Sequence, residues 1–181
     1  PAADAEGLCP GLCALAPTAA SPRAPVLKGV AGIDEGQAAV VLLWKEPNGE
    51  SIEAIGGLND LAERLRGLAG VTLALVSIDD DGARATQARR ELIDPAARVT
   101  LVFGADGQAT AAALAPDRLP ALYVLDRQRR TVARFEGPPR WRSPATRGFF
   151  EGLAGGQGCS LSFDAGKPVS PGRCEGGSAK P

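Results

Sequence analysis

Four cysteines are the residues best suited to chemistry in this chain, and all of them lie near its ends: Cys9, Cys13, Cys159 and Cys174. An even count confined to the termini suits disulfides formed in an oxidising space, such as a bacterial periplasm or the cell exterior. A four-thiolate zinc site is the rival use, but C-x-x-x-C followed by C-x14-C lacks the close paired knuckles such sites use. Cys9-Pro10-Gly11-Leu12-Cys13 keeps three readings open: a structural disulfide, a dithiol–disulfide redox pair, or a Cu(I) site of soft thiolates. If Cys159 joined Cys174, the closed loop of about 15 residues would contribute roughly 3 kcal/mol in the chain-entropy model. Four cysteines allow three pairings, and spacing alone does not choose among them.

The chain has no histidine, which removes Ser-His-Asp and Cys-His catalysis and histidine-rich metal sites. Nothing like Ser-x-x-Lys stands in for them. Asp79-Asp80-Asp81 lacks the alternation of a calcium loop and reads as a solvated helix start. Arg127, Arg129 and Arg130 are too few for a nucleic-acid patch, and the net charge of -1 gives no pull toward nucleic acid or an anionic membrane. Gly166-Lys167 lacks the first glycine of a phosphate loop. No metal and no cofactor is expected.

At 181 residues, with 44% hydrophobic and 23% charged side chains, the composition is that of an ordinary globular protein. Aromatics make up only 4%, so the core must come from Val, Leu, Ile and Ala. No apolar run nears the roughly 20 residues that cross a bilayer. The chain opens on Pro1 without an initiator Met or an apolar leader, and reads as a mature, processed form.

Three segments emerge. Residues 1–26 and 154–181 are rich in Gly, Pro and Ala and read as extensions. Between them, residues 27–153 alternate strand and helix. Ala38–Trp44 (AAVVLLW) is a continuous apolar strand of the kind covered on both faces. Residues 52–68 carry Ile52, Ile55, Leu58, Leu61, Leu65 and Leu68 on one helical stripe, weakened at Gly56-Gly57. A second buried strand covers 71–78, then a polar helix 83–93 stopped by Asp94-Pro95. A short strand over 99–103 and an Ala-rich helix over 108–114 follow. A hairpin of 122–125 and 131–135 turns around Asp126–Arg130, and a last helix, 144–153, ends at Gly155-Gly156. Strands separated by helices require a largely parallel sheet with crossovers, finished here by an antiparallel pair.

From about Ala38 to Leu153 this pattern resembles the thioredoxin superfamily, in particular the envelope thiol-disulfide oxidoreductases of the TlpA/ResA type. Leu58-Asn59-Asp60-Leu61-Ala62 is similar to the family's Leu-Asn-x-Leu-Ala stretch. Counting back without gaps sets Trp44 on the family's first Trp, Asn48 on its first active-site cysteine and Ser51 on its second. Leu119-Pro120-Ala121-Leu122-Tyr123-Val124-Leu125-Asp126 resembles the family's Leu-Pro-Thr-Thr-Phe-Leu-Ile-Asp block. That match implies that Pro120 is a cis-proline facing the active-site loop, with Leu119 beside it in a binding loop. Arg134-Phe135-Glu136-Gly137, with Trp141 beyond, fits the closing strand. The resemblance implies an α/β thioredoxin-like fold, a central mixed sheet flanked by helices, with disulfide-bearing N- and C-terminal extensions that it does not explain.

The departure at two positions bears on function. Exchange in that family needs a thiolate at a helix N-terminus and a second cysteine to resolve the mixed disulfide. Asn48 offers an amide and Ser51 a hydroxyl with no base beside it, so neither attacks a disulfide; a helix cap suits either. Trp44 and Trp141 suit packing better than ligand stacking. The expectation is an exported, envelope-located protein, redox-inactive at the usual site. It would bind a protein or peptide partner around Asn48, Ser51, Leu119 and Pro120 or along the terminal extensions, or serve as an architectural part of an envelope assembly. The alternative is an oxidoreductase that uses a relocated Cys9/Cys13 pair.

Overall fold

The computed structural model describes residues 27, 29–30, 36–79, 81–138, 141 and 146–156, together with the backbone of 12–14, 145, 158–164 and 167–175. Cys9 lies outside the described residues, as do the side chains of Cys13, Cys159 and Cys174.

The strands are β1 (Leu12–Ala14), β2 (Ala38–Trp44), β3 (Val71–Ser77), β4 (Val99–Val102), β5 (Ala121–Leu125) and β6 (Thr131–Glu136), followed by β7 (Gly158–Asp164) and β8 (Lys167–Glu175). The helices are α1 (Gly49–Arg64), α2 (Gly82–Leu92), α3 (Gly104–Leu114) and α4 (Ala145–Ala154). One mixed sheet runs β1-β6-β5-β2-β3-β4, and β7 and β8 form a separate two-stranded sheet. β2, β3 and β4 are parallel, whereas β5 runs antiparallel to β2, and β6 antiparallel to β5.

β2 is apolar without interruption because it has a neighbour on each side and a layer on each face. All seven of its residues are wholly buried. Side chains alternate across a strand, and two cores result. Val40, Leu42 and Trp44 join Ile55, Leu58 and Leu61 of α1, Ala85 and Ala88 of α2, and Trp141, Phe149, Phe150 and Leu153. Val41 and Leu43 join Leu27, Val30, Ala121, Tyr123 and Leu125, with Ala111 and Leu114 of α3 against them. α1, α2 and α4 therefore cover one face and α3 the other. Trp141 and Phe150 meet with ring centroids 5.7 Å apart, a tilted pair that suits their quadrupoles.

Local chemistry sets the helix ends. Asp81 accepts the N–H groups of Ala83 and Arg84 at 3.1 Å, a side-chain cap for α2. Asn59 Oδ1 accepts the Asp94 N–H at 2.8 Å; this asparagine ties α1 to the turn after α2. Arg147 of α4 donates to the carbonyls of Arg64 and Arg66 at 3.0 and 3.1 Å, closing the C-terminal end of α1. α3 begins four residues earlier than its alanine run suggests. Gly107 lies so close to β3 that an added Cβ would stand 2.0 Å from the Ser77 carbonyl oxygen. The glycine at this position is what lets α3 lie on the sheet.

The terminal segments hold more order than their composition suggests. β1, within the segment read as an extension, adds a sixth strand at the free edge of β6, with Cys13 opposite Arg134. β7 and β8 form a hairpin that lies against α4, β1 and β6. Strands of three residues, or strands interrupted by Pro and Gly, carry no period to read.

Tyr123 sits in the second core and its hydroxyl donates to the Leu114 carbonyl at 3.2 Å. Burial pushes its phenol above the ordinary 10.0, partly opposed by the Arg134 guanidinium. The native state thus holds this proton more tightly than the unfolded chain. The stability it contributes is complete below pH 10.0 and is lost as pH rises through the higher native value. Tyr123→Phe is expected to flatten the alkaline fall of the denaturation midpoint between about pH 9 and about pH 11. Denaturant titrations of both proteins across that range check it; parallel falls would show that Tyr123 does not set the slope.

Candidate functional site

Register brings the site together. Leu43 of β2 stands opposite Ala121 of β5, so Pro120, one residue before, meets the chain as it leaves Trp44. Five residues later, at Gly49, that chain enters α1. The tip of α1 and the Leu119-Pro120 turn are therefore neighbours, because one strand's carboxyl end lies beside the other's start. The Leu119–Pro120 peptide bond is cis. The Pro120 carbonyl accepts the Gly137 N–H at 2.9 Å, which fastens the turn to the end of β6. Leu119 is partly buried against the second core. Among the described residues none bonds its N–H or its C=O.

Asn48 is the N-cap of α1, extended at φ -83° and ψ 171°. Its Oδ1 accepts the Ser51 N–H at 2.9 Å, and its carbonyl accepts the Ile52 N–H at 3.0 Å. The side chain of Asn48 is exposed, whereas Ser51 lies beneath it, only 2% exposed. This arrangement has a chemical consequence. The free N–H groups of a first helical turn are what would stabilise a thiolate there. Here one of them is satisfied by an amide oxygen, a neutral acceptor with no nucleophilic character.

Trp44 is wholly buried beneath the tip, so it packs and offers no ring to a ligand. No acceptor among the described residues faces its indole N–H. Trp141 is buried in the same core.

One contact across the site is invisible in sequence. A single Arg118 nitrogen donates to both carboxylate oxygens of Glu50, each at 2.9 Å. Glu50 lies in the first turn of α1, where a negative charge complements the helix dipole. Arg118 lies two residues before the cis-proline. The pair therefore clasps the helix tip to the turn. Both side chains are half exposed or more, so the clasp adds at most about 1 kcal/mol and opens readily. Glu50 in a first turn is legible in sequence; its partner is 68 residues away and is not.

Cys13 does not join this site. Its strand is separated from β2 by β6 and β5, about 14 Å at ordinary strand spacing. A broad groove of about 890 Å3 lies at the opposite end of the sheet, between the end of α1 and the starts of β3 and β4. Neither Trp44, Asn48, Ser51, Leu119 nor Pro120 lines it. No helix among the described residues is long and apolar enough to cross a membrane.

No family model and no curated protein matches the sequence. Solved structures do match. An uncharacterised conserved protein from Geobacillus kaustophilus is 17% identical with a TM-score of 0.57, over 85% of this chain and 89% of that one. A candidate thiol:disulfide interchange protein, DsbE, from Chlorobium tepidum is 19% identical with a TM-score of 0.53, over 70% of this chain and 89% of that one. A thiol:disulfide interchange protein from a Bacteroides species is 17% identical with a TM-score of 0.51, over 64% of this chain and 80% of that one. At such identities the likeness is one of fold, and the fold is thioredoxin-like.

The cap is open to a direct test. Asn48→Ala should cost about 1 kcal/mol of stability, and Asn48→Asp, which keeps an acceptor, much less. Urea midpoints of the three proteins measure it; equal midpoints for Ala and Asp would show that the Ser51 N–H does not depend on this side chain.

Proposed function

We propose that this chain is an exported thioredoxin-fold binding module of the cell envelope, with no thiol–disulfide exchange at the tip of α1. Its partner is a protein or peptide in extended form, held at Asn48, Ser51, Leu119 and Pro120. The observation that carries this reading is the Asn48 cap. An amide occupies the helix start where the resemblance expects an attacking sulfur, and it is engaged in holding the helix together.

What remains at the site is suited to holding a chain rather than cutting one. Leu119 has a backbone N–H and C=O without partners among the described residues, beside an exposed loop running from Lys45 to Glu50. Unpaired backbone groups next to a strand start are what an added extended segment pairs with. The Glu50–Arg118 clasp is weak enough for such a segment to displace. The four cysteines at the termini support an oxidising location.

The rival, an oxidoreductase built on Cys9 and Cys13, is not favoured. β1 is on the far edge of the sheet from β2, so an exchange at Cys13 would make no use of the α1 dipole or of the Pro120 turn.

The test uses a reduced and alkylated, permanently unfolded polypeptide as probe, free of thiols, titrated into the isotope-labelled full chain. Amide shifts should concentrate at Gly49, Ser51 and Leu119. Pro120→Ala should weaken the binding by about tenfold, equivalent to about 1.4 kcal/mol. Shifts confined to other surfaces, or none at millimolar probe, would overturn the reading.

A further inference from the structure

We infer that Cys159 and Cys174 are joined by a disulfide that staples the β7–β8 hairpin. This goes beyond the binding reading and does not depend on it.

The inference rests on register. β7 and β8 are antiparallel with Cys159 directly opposite Cys174. Residues so paired have Cα atoms about 4.5 to 5.5 Å apart. Disulfides span Cα separations of about 4.4 to 6.8 Å. No movement of the backbone is therefore needed to form the bond. β1 and β6 also lie near β7, but β6 carries no cysteine and Cys13 in β1 has its register partner in β6, at Arg134.

The hairpin also has a reason to need a staple. Its ladder breaks between Ser160 and Ser162, where β8 jumps from Arg173 to Val169. Pro171 and Gly172 lie in that jump; proline has no N–H to give a ladder, and glycine packs nothing. Beyond the break only three pairs remain, Gly158 with Glu175, Cys159 with Cys174 and Ser160 with Arg173. That limb contains no aromatic or β-branched residue to form a stabilising cross-strand pair. A two-stranded ribbon is marginal by itself in water, and a covalent bond at the middle of the three pairs closes it.

Formation balances as an ordinary exchange. The two thiols give up two protons and two electrons, and a disulfide oxidant of the glutathione class takes both and departs as two thiols.

Trypsin makes the test decisive, because cleavage after Arg23, Arg147 and Arg173 puts Cys9 and Cys13 in peptide 1–23, Cys159 in 148–173 and Cys174 in 174–181. The full chain is equilibrated with reduced and oxidised glutathione, quenched by alkylation at low pH, digested without reduction and weighed. The expected result is 148–173 joined to 174–181, with 1–23 separate. The same joined pair should persist in a Cys9→Ser/Cys13→Ser variant. Peptide 1–23 found joined to either of the others, or alkylated Cys159 and Cys174, would overturn the pairing. As a second reading, Cys159→Ser and Cys174→Ser should lower the thermal midpoint equally, and the double variant no further than either. Additive losses would contradict a shared bond.

Discussion

The burial of β2 on both faces is the constraint from which the rest of the structure follows. Seven consecutive apolar residues, none with any exposed surface, can be housed only at the centre of a layered sheet. That requirement calls α1, α2 and α4 to one face and α3 to the other. It also fixes where the site can be. A central strand with a parallel neighbour on one side and an antiparallel neighbour on the other delivers its carboxyl end beside the start of β5. The α1 tip and the Pro120 turn meet because Leu43 and Ala121 are paired. Each fully buried aliphatic side chain contributes about 1.5 to 3 kcal/mol toward holding that geometry.

A frame of this kind does not dictate chemistry. What happens at the helix tip depends on the atoms placed there. A sulfur would be drawn toward its anion by the dipole and the free N–H groups. The Asn48 amide instead takes one of those N–H groups for the helix itself. The effect is local: the cap stabilises α1, and the Asn48 amide offers no nucleophile. The surrounding features do not depend on the sulfur. The cis-proline turn is held by Gly137, the clasp by Glu50 and Arg118, and the Leu119 backbone groups have no partner among the described residues. On the reading proposed above, these are the parts that hold an extended partner.

The parts of this structure that could be read from sequence are those whose signal is local. The apolar runs that became β2 and β3, the Ile55, Leu58 and Leu61 part of the expected stripe in α1, whose first member Ile52 is instead exposed, and the Asp81 cap of α2 carry their explanation in neighbouring residues. The resemblance rests on Trp44, Asn59 and Pro120, and the Leu119–Pro120 peptide bond is cis. What escaped was decided across long distances. α3 starts at Gly104, with Phe103 as an N-cap that makes no side-chain bond, and the need for Gly107 arises from a carbonyl on another strand. β1 is three residues long and exists because β6 offers it an edge. The β7–β8 hairpin is interrupted by Pro and Gly, so no alternation announces it. Arg118 meets Glu50 only after the sheet has assembled.

On the proposed reading, the α1 tip lacks exchange chemistry only because it lacks sulfur. This is tested most directly by disulfide reductase turnover of the full chain beside its Asn48→Cys/Ser51→Cys variant, both with Cys9 and Cys13 replaced by serine. The account predicts no turnover above the buffer rate for the first and clear turnover for the second, whose restored pair would sit at a helix start beside a cis-proline. Turnover by the protein that retains Asn48 and Ser51 would contradict it.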